Sequence, residues 1–81
     1  MVTDGKAESA AVSAQIRAER AAAGMTIAQL SRESGIPEQT LMRYLKGTRD
    51  IPLAALYAIA DGLGMPLGVL LSRSQSRFNE N

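Results

Sequence analysis

The stretch Met25-Thr26-Ile27-Ala28-Gln29-Leu30-Ser31-Arg32-Glu33-Ser34-Gly35-Ile36-Pro37 decides the fold. Thr26 and Gln29 have the spacing of a capping box, N-cap and N3. Met25 and Leu30, at N′ and N4, are placed for a hydrophobic staple. A helix therefore starts at Ile27 and runs about two turns. Gly35 ends it, because a residue without Cβ enters the left-handed region at little cost and lets the chain reverse. Pro37 lacks an N–H and opens a helix rather than continuing one.

The next helix starts at Pro37 or Glu38 and runs to Lys46, where Gly47 stops it. Leu41, Tyr44 and Leu45 share one face at i, i+3 and i+4. Glu38, Gln39, Met42, Arg43 and Lys46 lie off that face. Two short helices joined by a tight glycine turn, the second with a polar outer side, form the helix-turn-helix arrangement. In that arrangement the second helix enters the major groove of DNA.

Upstream, residues 9–23 read as a first helix. Val12, Ile16 and Arg20 follow helical spacing, alanine fills the other turns, and Gly24 stands at C′. Downstream, 48–51 is a short connection. Pro52 begins a fourth helix with Leu53, Leu56, Ile59, Ala60 and Leu63 on its apolar stripe, ended by Gly64. Pro66 opens a short fifth helix to Ser72 that carries Leu67, Leu70 and Leu71. The expected organisation is a flexible tail over 1–8, one all-α five-helix domain over 9–72, and a flexible tail over 73–81.

Composition bounds the rest. The chain has 81 residues, 46% of them hydrophobic and only 4% aromatic, which fits one small core of aliphatic side chains. It has no cysteine and no histidine. A disulfide framework and a thiolate zinc site are excluded, and the commonest general base and metal ligand are missing. No catalytic residue, metal site, cofactor or small-molecule ligand is expected. The longest apolar run, 63–71, contains two glycines and a proline and is too short to span a bilayer. The expected location is the cytoplasm, at the nucleoid. Net charge is +1, but its distribution is uneven. Residues 17–49 hold Arg17, Arg20, Arg32, Arg43, Lys46 and Arg49 against Glu19, Glu33 and Glu38. From Gln39 to Arg49 there are three cations and no acid, a local stripe able to attract phosphates.

Three blocks, 25–31, Gly35-Ile36-Pro37 and Leu41-Met42-Arg43-Tyr44-Leu45-Lys46-Gly47, resemble the family of phage lambda repressor, Cro and related bacterial regulators, often called the Xre family. Ala60-Asp61-Gly62-Leu63-Gly64 resembles the end of that family's fourth helix. The resemblance covers residues 12–71. It implies a sequence-specific transcriptional regulator, a phage or bacterial repressor, bound as a homodimer to a palindromic double-stranded operator.

The resemblance also implies roles for residues at matching positions. The first turns of the third helix read bases, and here they hold Glu38, Gln39, Thr40 and Arg43. Gln39 suits adenine, Arg43 suits guanine O6 and N7, and Glu38 suits cytosine N4 or the helix N-terminus. Met42 is placed for a thymine methyl. Lys46, Thr48 and Arg49 match a loop that contacts phosphates, as do Thr26 and Gln29 at the start of the second helix. Ile27 stands where a glutamine is usual. Leu45 stands where a glutamate commonly pairs with the arginine matched by Arg20, which leaves Arg20, with Arg17, for phosphate or solvent. Met65, Leu67, Val69 and Leu70 are a candidate dimer interface. The alternative reading is an antitoxin-type or protein-interaction helical module that dimerises through that segment.

Overall fold

The computed structural model describes residues 6–80. They form five helices: α1 (Lys6–Ala22), α2 (Ile27–Ser34), α3 (Glu38–Lys46), α4 (Leu53–Gly62) and α5 (Leu67–Glu80). Each contributes one fully buried aliphatic side chain to a single core: Ile16, Leu30, Leu41, Ile59 and Leu70. Tyr44, Leu45 and Ala60 complete it. Every helix is thus held by the same apolar cluster, the arrangement by which short helices of low intrinsic stability become fixed.

The start of α2 follows its local chemistry. Thr26 Oγ1 accepts from the Gln29 backbone N–H at 3.0 Å, and Gln29 Oε1 accepts from the Thr26 N–H at 2.8 Å. At the other end Gly35 takes φ 76, ψ 10. The turn is closed by Gly35 N–H to Ser31 O at 2.8 Å and by the Ser31 hydroxyl to Ile36 O at 2.5 Å. Ile36 packs against the core, so the turn is pinned as well as capped.

Four expectations from the sequence are corrected. First, α5 does not stop at Ser72; residues 73–80 are helical. Arg73 pairs with Glu19 at 2.8 Å, and Arg77 Nε donates to Gln15 Oε1 at 3.0 Å. Those two pairs run in opposite directions along the two chains, so α5 lies antiparallel to α1. The partners are far away in sequence, and no local apolar period announced them. Second, α1 begins at Lys6 rather than Ser9, again against the far end of α5. Residues 1–5 and 81 of the expected tails lie outside the described residues. Third, Leu70 is fully buried and belongs to the core, not to an interface. Met65 and Leu67 also pack against the core. Fourth, Leu53 is 62% exposed. At about 100° per residue it sits at the edge of the stripe centred on Ile59 and Ala60, in the first turn of α4.

Candidate nucleic-acid interface

The two faces of α3 separate cleanly. Leu41, Tyr44 and Leu45 are buried, whereas Glu38, Gln39, Met42, Arg43 and Lys46 are exposed. At about 100° per residue those five exposed side chains span an arc of about 140°. Thr40 is half-buried and flanks that arc. Gly35 and the Ile36 plug set the angle at which α3 leaves α2. The result is a short rod with an anchored underside and an outer side bearing an amide, a carboxylate, a thioether, a guanidinium and an ammonium. These are the donor and acceptor types that distinguish base edges in a major groove.

Cations stand beside the rod. An open groove of about 440 Å³ is lined by Arg17, Arg20, Ile27, Met42, Leu45 and Lys46. It lies where α1, the start of α2 and the outer side of α3 meet. A polyanion running past α3 would meet three positive side chains there. The three acids between 17 and 49 weaken this field less than their number implies. Glu19 is engaged by Arg73, whose hydrogen bond holds its carboxyl below the usual value of 4.5.

Other side chains assigned from the sequence have more specific duties. Thr26 and Gln29 are exposed but spend a hydroxyl and an amide oxygen on each other's backbone. The NH2 of Gln29 does not take part in that box. Thr48 gives both its N–H and its hydroxyl to Arg43 O, at 3.1 and 3.2 Å, so it caps α3. Arg49 is exposed in the loop that follows. Arg20 is half-buried, with Nη1 donating to Met25 O at 2.7 Å. Its Nε is buried without a hydrogen-bond partner. Leu45 offers it no ion pair, and its bond to Met25 O instead ties α1 to the approach of α2. Arg17 donates through Nη1 to Leu45 O.

Sequence reasoning missed Ser13. It is buried in α1 and donates to Tyr44 O at 2.8 Å. The only trace in the sequence is a hydroxyl interrupting an alanine-rich run. Among the described residues no group of three or more histidine, cysteine, aspartate or glutamate side chains is placed to hold a metal. No single described helix is long and apolar enough to cross a membrane.

A five-helix core that presents one polar-faced helix behind a capped glycine turn defines a helix-turn-helix protein. The chain belongs to the lambda repressor- and Xre-like helix-turn-helix family, whose model matches residues 16–70. That is a family of DNA-binding regulatory domains. Comparisons with curated proteins and with solved structures returned no match.

Proposed function

We propose that this protein is a sequence-specific transcriptional regulator, acting as a repressor of phage or bacterial origin at the nucleoid, and that α3 reads base edges in the major groove. The observation that carries this reading is the exposed arc of α3 beside the cationic groove. In this reading Arg43 and Gln39 are the principal base readers, with Glu38, Thr40 and Met42 around them. Lys46 and Arg49 meet phosphates, which supplies affinity and register without sequence information. One α3 spans few base pairs. A homodimer on a palindrome, with half-sites about 34 Å apart, supplies the rest. Of the segment first considered for the dimer contact, Val69 is exposed at 38%. We place the contact there.

Selection of bound sites from random duplex DNA, followed by binding at two salt concentrations, tests the reading. Arg43→Ala and Gln39→Ala should each cost about 1–3 kcal/mol on the selected site and relax preference at one position. Lys46→Ala should weaken all sequences alike and lower the salt slope by about one. If neither α3 substitution alters affinity or preference, α3 is not the reader. The selected sites also test the dimer, which requires that they be palindromic and that sedimentation on DNA give two chains per site.

A further inference from the structure

The last turn of any α-helix leaves carbonyl groups without helical partners, and in α3 these carbonyls are met in two different ways. The following loop serves some of them. Thr48 serves Arg43 O, and Gly47 N–H serves Tyr44 O at 3.1 Å. α1 adds two further donors, one of them to a carbonyl that the loop also serves. Ser13 Oγ donates to Tyr44 O at 2.8 Å, with Ser13 only 3% exposed. Arg17, one turn further along α1, donates through Nη1 to Leu45 O. Ser13 and Arg17 share a face of α1 at i and i+4. Their acceptors are consecutive residues of α3, flanked by the exposed Arg43 and Lys46.

We propose that Ser13 and Arg17 are positioning residues for base reading, two rungs that fix the roll and depth of α3 against α1. The inference rests on the reading of α3 as the recognition helix. Apolar contacts alone are non-directional and tolerate small rolls of a short helix. A hydrogen bond weakens steeply when bent or stretched, and one from a guanidinium is stronger than a neutral one. Bidentate pairing to a base edge requires the reader to be held within about 0.5 Å and 10–20°. Two hydrogen bonds at the C-terminal end of α3 supply a constraint of that kind, and they act on the turn that carries Arg43 and Lys46. Ser13 is too buried to touch DNA, so its influence passes through α3.

Ser13→Ala and Arg17→Met in the full chain test this, with two measurements. One is the ratio of affinities for a selected site and for random duplex DNA, at two salt concentrations. The other is amide hydrogen exchange of the free protein over 45–48. Ser13→Ala keeps a good helix former in α1, so the fold is retained. It should lower the ratio by roughly three- to tenfold while leaving random-DNA affinity and the salt slope unchanged, because no charge is altered. Exchange at the end of α3 should quicken. In an Arg43→Ala background the effect on the ratio should largely vanish, since the reader being positioned is gone. Arg17→Met should lower the ratio and quicken exchange as well. If Arg17→Met flattens the salt slope by about one while ratio and exchange hold, Arg17 is a phosphate contact instead. If Ser13→Ala changes neither ratio nor exchange, the rungs position nothing. A wild-type protein that selects no sequence overturns the DNA-reading function, whereas unchanged exchange overturns the rungs, so the two failures are distinguishable.

Discussion

Gly35 stands at φ 76, and no atom beyond its two chain neighbours lies within 4 Å of the place a Cβ would occupy. A side chain there meets no clash, so its cost is that of the backbone alone, about 1–2 kcal/mol for an L-residue in the left-handed region. Gly35→Ala should lower unfolding free energy by that amount in denaturant, and Gly35→Asn by less, because asparagine tolerates this region. Equal losses for the two would contradict the backbone account. Glu19 makes a second residue-scale prediction. Its carboxyl is held below 4.5 chiefly by the Arg73 hydrogen bond. Burial opposes the shift, while Gln15 and the charge of Arg73 reinforce it. The folded chain therefore keeps Glu19 ionised to lower pH than the unfolded chain does. The stabilisation is complete above 4.5 and is lost as pH falls from there through the lower folded value. Glu19→Gln should be less stable than wild type at pH 7, by less than about 1 kcal/mol for a partly exposed pair. The gap should close on acidification, and a gap that does not narrow as pH falls below 4.5 would show that charge is not its source.

Between elements, α4 comes close to α2 at Gly62. A Cβ at Gly62 would stand 3.1 Å from Leu30 Cδ1 and 3.2 Å from the Ser34 backbone nitrogen. Leu30 is fully buried and the second neighbour is main chain, so neither yields easily. Gly62→Ala should destabilise by about 1–3 kcal/mol, although alanine is intrinsically the better helix former at this last position of α4. A neutral or stabilised variant in thermal unfolding would mean that α2 and α4 are less tightly joined. Elements also differ in how far they can be read from sequence. The start of α2 was legible because Thr26 and Gln29 satisfy each other within four residues. The outer side of α3 was legible because its burial repeats with the helical period. Residues 73–80 were not, since their partners Gln15 and Glu19 lie 62 and 54 residues away. Ser13 and Arg17 were opaque for the same reason, as their acceptors are main-chain carbonyls that no side-chain pattern encodes. Leu70 was misread because an apolar run near a chain end looks alike whether it closes a core or awaits a partner.

Across the whole molecule, α1 is the common support. One side meets α3 through Ser13 and Arg17, and another meets α5 through Gln15 and Glu19. The family match ends at residue 70, yet α5 continues to Glu80 and lays Arg77 and Phe78 beside Ala7, Ala10, Ala11 and Ala14 of α1. These last turns of α5 bury Ser74 and part of Phe78, and they add a polar seam rather than new core. A chain cut after Ser72 should therefore still fold, because Ile16, Leu30, Leu41, Ile59 and Leu70 all remain. It should lose on the order of 1–3 kcal/mol, mainly from the partial burial of Phe78 and the α1 surface it covers. For a domain of this size that lowers Tm by about 4–8 °C for each kcal/mol. The loss should concentrate at the start of α1, where amide exchange over 6–11 should quicken most, because α5 then no longer covers Ala7, Ala10 and Ala11. Base preference should survive, since Ser13 and Arg17 still reach α3 from the part of α1 that the core holds through Ile16. An unchanged Tm would mean that residues 73–80 add nothing to stability. A truncated chain that keeps its Tm but loses base preference would move the role of α5 from supporting the fold to shaping the DNA-reading side.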